Sequence, residues 1–132
     1  MGELFERVCD DATLFDAWRR VEHKGARGGI DQVTIAAFGQ RLNDNLAQLR
    51  TDLCDGRYIP EPFQKIEIPK ADAPGETRPL RMPTVRDKIA QEAVRSVIAP
   101  LLEKTFADCS YAYRFGKGPQ KAIRRVDTML VR

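Results

Sequence analysis

The sequence predicts an α+β fold, mostly helical, with one antiparallel β-ribbon. Three observations predict it. Apolar residues recur at helical spacing in separate runs before residue 54 and after residue 84. Between Phe63 and Met82 the period changes to two. Pro and Gly fall at the joints between these runs, where they end or turn the chain.

Leu14, Ala17, Trp18 and Val21 lie at i, i+3, i+4 and i+7, the stripe of an amphipathic helix starting near Asp11 to Thr13 and ending at Gly25. The following run, HKGARGGID, holds too much glycine for a helix. Ile35, Phe38, Leu42, Leu46, Leu49 and Leu53 keep to one stripe, so a second helix is expected from Thr34 to Leu53 as scaffold. Asp55-Gly56 then turns the chain, and Pro60 and Pro62 favour an extended connector.

In the ribbon, Ile66 and Ile68 face one way and Lys65 and Glu67 the other. Pro69 ends the first strand, Lys70 to Thr77 forms a polar tip around Pro74 and Gly75, and Leu80 and Met82 resume the alternation around Arg81. Pro83 closes the second strand. Thr84 is placed to cap the next helix, with Asp87 completing a capping-box-like pattern. That helix buries Val85, Ile89, Ala93, Val97 and Ile98, leaves Arg86, Lys88 and Arg95 exposed, and is expected to kink or restart at Pro100. Leu101, Leu102 and Phe106 continue its apolar side. Tyr111 to Phe115 is short and aromatic, suited to an extended segment that either packs in the core or stacks on bases. Pro119 fits the first position of a last helix whose stripe is Ala122, Ile123, Val126 and Leu130, with Lys121, Arg124 and Arg125 outside.

A length of 132 residues suits a single domain, and 42% apolar with 31% charged residues suits a soluble globular chain. There is no apolar run near the roughly 20 residues that span a bilayer, and the acidic N-terminus lacks signal-peptide character, so no membrane partner and a cytoplasmic location are expected. Cys9, Cys54 and Cys109 are far apart in sequence and fit neither a disulfide framework nor a metal-binding spacing. The lone His23 has no nucleophile near it in sequence, Ser110 lies in no nucleophile-elbow pattern, and no glycine-rich phosphate fingerprint follows a strand. Hydrolase and dinucleotide-binding chemistries therefore find no support.

Charge is unevenly spread. Residues 1–62 carry 8 Lys and Arg against 11 Asp and Glu, a balance of −3, whereas residues 63–125 carry 13 against 7, a balance of +6. This suits a basic face for a polyanion, although an ordinary solvated surface has the same composition.

The segments "IPK", "RPLRMPTVRDKIAQEAV" and "SYAYRFGKGPQKAI", in that order around a Gly-containing acidic loop, resemble the fingers region of group II intron-type bacterial reverse transcriptases, of which CRISPR-associated enzymes are close relatives. The likeness runs from about Leu14 to Val126 and departs from the family at Phe115, where Pro is usual. It implies a fingers subdomain truncated before the polymerase palm. It also implies an RNA-directed DNA polymerase as parent, with template RNA, a cDNA or DNA primer and a deoxynucleoside triphosphate as partners. By the same resemblance Lys70 and Arg78 match the basic pair that contacts the incoming triphosphate. Lys24, Arg27, Arg81, Arg86, Arg114 and Lys117 are the candidates for nucleic-acid contact, with solvation as the plain alternative for each. Mg²⁺ belongs to palm carboxylates, which this chain is expected to lack. Asp10-Asp11 is an adjacent acidic pair but precedes the fingers at a helix border, where acidic side chains favour the helix start. Alone, the chain is expected not to polymerise and to self-associate through the edge where the palm is missing. The rival reading is a non-enzymatic module that uses its basic half to bind RNA or a protein.

Overall fold

A computed structural model describes residues 2–25 and 27–131. Its helices are α1 (Glu3–Val8), α2 (Asp11–His23), α3 (Ile35–Gln40), α4 (Leu42–Cys54), α5 (Val85–Glu103) and α6 (Pro119–Leu130). Strands β1 (Gln64–Pro69) and β2 (Thr77–Met82) pair antiparallel between α4 and α5, so the α+β expectation holds. The chain divides into two compact units, Met1–Val97 and Ile98–Arg132.

In the first unit the α2 stripe behaves as its spacing requires: Leu14, Ala17, Trp18 and Val21 are all buried. They join Phe38, Leu49 and Leu53 and the α5 residues Val85, Ile89, Ala93 and Val97 in one core. Trp18 stacks on Phe38 with ring centroids 5.4 Å apart. The expected second helix is two helices instead. Thr34 caps α3 through Ala37 N–H at 3.1 Å, but Arg41 leaves helical geometry at φ −124° and ψ 41°. Gly39 lies against the Trp18 ring, where a Cβ would come within 3.2 Å. At the break the Phe38 carbonyl accepts from the Arg41 N–H at 3.3 Å and from Asn45 Nδ2 at 2.9 Å.

The cap of α5 forms as read from the sequence. Asp87 N–H donates to Thr84 Oγ1 at 3.1 Å, and the Thr84 hydroxyl donates to Asp87 Oδ2 at 2.8 Å. The buried Asp87 carboxylate also accepts from Tyr58 Oη at 2.5 Å and from Glu61 N–H at 3.1 Å. One side chain thereby ties the connector before the ribbon to the helix after it.

Two local expectations change, at Pro100 and at the N-terminus. Helix α5 runs through Pro100 without a break in its span; near a helix end the missing N–H leaves only one exposed-side carbonyl without its donor. Burial, reinforced by Cys54, pushes the Cys9 thiol up to about 11. Helix α1 has no counterpart among the expected elements; its signals are the buried Val8 and Cys9 beside Phe5.

The second unit is more open. Ile98, Leu101, Leu102 and Phe106 are exposed, as are Ile123, Val126 and Leu130 of α6. The expected extended aromatic segment is a series of turns: Tyr113 has φ +57° and Gly116 φ +68°, and the Tyr113 and Phe115 rings are fully exposed. Core packing is thus excluded for those two rings in this unit. Pro119 takes the first turn of α6, as its fixed φ favours.

Candidate functional site

The ribbon fixes which cations meet. Its register pairs Ile66 with Leu80 and Ile68 with Arg78, and beyond the strands the Lys70 N–H donates to the Glu76 carbonyl at 3.0 Å, one further rung. Opposed residues share a face and alternate along each strand. Lys70, Arg78 and Glu76 therefore lie on the isoleucine face, Lys70 diagonal to Arg78. Gly75, at φ +89°, closes the tip in a conformation that side-chain-bearing residues rarely adopt.

On this face the Lys70 ammonium lies 2.5 Å from the Glu76 carboxylate. Both side chains are well exposed, and exposed pairs contribute at most about 1 kcal/mol, so an anion of higher charge displaces such a partner readily. Arg78 is exposed and has no ion-pair partner among the described residues.

The other face carries Lys65 opposite Arg81. Lys65 is held by Glu67 at 2.8 Å, and Thr77 Oγ1 donates to the same carboxylate at 3.1 Å. The Lys65 hydrogen bond is the main cause that holds the Glu67 carboxyl below its usual range. Arg81 thus lies on the face away from Arg78.

Four other expected contact residues have internal partners. Arg86, read as exposed, is half-buried: its guanidinium meets Asp52 at 2.5 Å and lies over the Tyr58 ring at 5.0 Å. It braces α4 against α5. Arg114 grips Glu103 at 2.7 Å and the carbonyls of Ala107 and Ser110, with its side chain only 8% exposed. Lys117 Nζ donates to the Asp108 carbonyl at 3.0 Å over the Tyr111 ring. Lys24 Nζ donates to Glu92 at 3.4 Å. Arg27 is exposed, and its carbonyl accepts from Lys88 Nζ.

Sequence reasoning passes over Glu92, to which Arg20, Lys24 and Arg95 all turn. The i, i+4 spacing of Arg20 and Lys24 on α2 is readable; the nearness of α5 is not. Glu92 is buried, and the Arg95 hydrogen bonds above all hold its carboxyl below the ordinary value of 4.5. A carboxyl depressed in the folded state stabilises above its unfolded pKa and loses that contribution as pH falls through the folded value. Denaturant midpoints measured from neutral pH downward should therefore fall below about pH 4.5, and more steeply than in Glu92→Gln. Parallel acid limbs would contradict this.

Among the described residues no group of three His, Cys, Asp or Glu side chains gathers as a metal site. Asp11 instead pairs with Arg50 at 3.3 Å. No helix of the described residues is long and apolar enough to cross a membrane.

Fold and site together define a helix-backed ribbon module that presents cations at a glycine-turned tip. No protein-family model matches the chain. It is 37% identical to protein YkfC of Escherichia coli over 129 residues, covering 96% of this chain and 33% of that protein. It is 31% identical to the group II intron-encoded protein LtrA of Lactococcus lactis over 105 residues, 79% of this chain and 17% of LtrA. A putative COX1/OXI3 intron 1 protein of Saccharomyces cerevisiae matches at 32% over 84 residues, 64% of this chain and 10% of that protein. The chain is a relative of the group II intron-type reverse transcriptases that its motifs resemble. It spans a third or less of the length of these relatives.

Proposed function

We propose that the chain is the fingers part of an RNA-directed DNA polymerase of the group II intron type, acting in the cytoplasm, with the metal-bearing palm outside these residues. Its role is to hold template RNA opposite the primer and to grip the triphosphate of the incoming deoxynucleotide. The observation that carries this reading is the ribbon register, which puts Lys70 and Arg78 on one face of a turn-closed tip. Nucleotidyl transfer releases pyrophosphate, so negative charge builds on the departing oxygens, and cations aimed there favour the transition state. Arg78 offers a planar fork to two phosphate oxygens, and Lys70 a point charge once it leaves Glu76. Divalent ions, supplied by the palm, would clamp the attacking and leaving oxygens.

Arg27 and Arg81 are assigned to template or primer phosphates because both are exposed. Lys24 is assigned likewise from α2. Arg86, Arg114 and Lys117 serve mainly to hold the framework behind these contacts, given their internal partners.

Arg78→Ala in the polymerase that contains this segment should raise the KM for deoxynucleotides, with about 1.5–3 kcal/mol lost from kcat/KM, the scale of a charged hydrogen bond. Unchanged nucleotide kinetics would remove Arg78 from the triphosphate site.

A further inference from the structure

We propose that a cleft between α2 and α5 binds successive phosphates of single-stranded RNA, as a second site apart from the ribbon. No ribbon residue lines it, so it stands apart from the triphosphate reading, while through Lys24 it rests on the template contact proposed above. The cleft has a volume of about 430 Å³ and is open to solvent. At its base the Glu92 side chain is 7% exposed, yet three cations converge on it: Arg95 Nη2 at 2.5 Å, Lys24 Nζ at 3.4 Å and Arg20 Nη1 at 3.5 Å. One cation would neutralise this carboxylate. The other two leave an excess of positive charge facing the opening, which a bound anion would offset.

Arg19 also lines the cleft, and Asp16 is its other acid, so four cations face two carboxylates. The three side chains on Glu92 remain 48–62% exposed, which leaves N–H donors that Glu92 does not use. Glu92 acts here as a positioning residue: it fixes the inner edge of each cation while the outer edge faces the opening. Arginine forks held in this way match phosphate oxygens in pairs.

An adjoining hollow of about 320 Å³ shares Lys24, Glu92 and Arg95 and adds Lys88. The two together form a track along α5. A track suits a chain of phosphates better than one isolated anion, and Lys88, already donating to the Arg27 carbonyl, marks its far end.

The test is fluorescence anisotropy of the full 132-residue chain with a short fluorescein-labelled single-stranded RNA, across a salt series. The double variant Arg20→Gln/Arg95→Gln should weaken binding about tenfold and lower the salt slope by about 0.7 for each phosphate no longer neutralised. Lys121→Gln/Arg124→Gln on α6 removes equal charge and should do far less. Arg78→Ala/Arg81→Ala, on the ribbon, should leave the cleft's share of the slope in place. Equal losses from the cleft and α6 pairs would mean unlocalised attraction and overturn the site. Displacement of the RNA by inorganic pyrophosphate at low concentration, abolished only in the cleft pair, would assign the cleft to free polyphosphate and overturn the RNA reading. Should the double variant melt early, Arg19→Gln, which does not touch Glu92, gives the same comparison with a smaller change.

Discussion

Asp87→Ala should destabilise the first unit by about 3–5 kcal/mol, the scale of breaking a buried charged network by removing one member. The carboxylate accepts from the Tyr58 hydroxyl, the Glu61 N–H and the Thr84 hydroxyl. Truncation leaves three donors without their acceptor inside the fold, each worth about 1–3 kcal/mol when buried and unsatisfied. It also removes half of the reciprocal cap of α5. Tyr58 would lose its anchor while still lying beneath Arg86, so the connector into the ribbon should loosen as well. Urea denaturation followed by circular dichroism measures the loss. A change under about 1 kcal/mol would mean that water satisfies these groups and that Asp87 does not hold the connector.

Gly29→Ala should cost about 3 kcal/mol or more, at or above the usual upper end for an overfilled site. Its backbone dihedral is not the reason; the space is. A Cβ at Gly29 would lie 2.6 Å from the Thr84 nitrogen, 2.7 Å from Thr84 Cα and 2.8 Å from the Pro83 carbonyl carbon. All three are backbone atoms at the junction of ribbon and α5, with no rotamer to yield. The glycine-rich loop must therefore lift away from the ribbon's base. Gly25→Ala provides the comparison: its φ of +60° strains an alanine, but the space around it is open. The Gly25 variant should lose only about 1 kcal/mol. Equal thermal shifts for the two variants would contradict the close approach at Thr84.

Local rules make much of this fold readable. The α2 stripe, the Thr84–Asp87 cap, the alternation of Ile66 and Ile68 and the position of Pro119 each depend on residues a few positions apart. The shared face of Lys70 and Arg78 follows from the same alternation once the tip length sets the register. What escapes depends on partners distant in sequence. The break at Arg41 falls two residues after Gly39, which lies against the Trp18 ring of another helix. Arg86 looks like surface in the sequence because Asp52 and Tyr58 reach it from other elements. The cluster on Glu92 needs α2 beside α5, which no helical spacing reveals. In the second unit the apolar stripes of α5 and α6 are legible as stripes, but burial is a property of a partner, and the apolar positions Leu101, Leu102 and Ile123 are exposed.

The ribbon reading makes Lys70 and Arg78 act on one triphosphate, and a double-mutant cycle on deoxynucleotide kcat/KM in the full polymerase tests this most directly. Lys70→Ala, Arg78→Ala and the pair should show a coupling energy of about 0.5–3 kcal/mol, as groups that share a partner do. Strictly additive losses, or no loss from either residue, would mean that the two cations do not grip the same nucleotide.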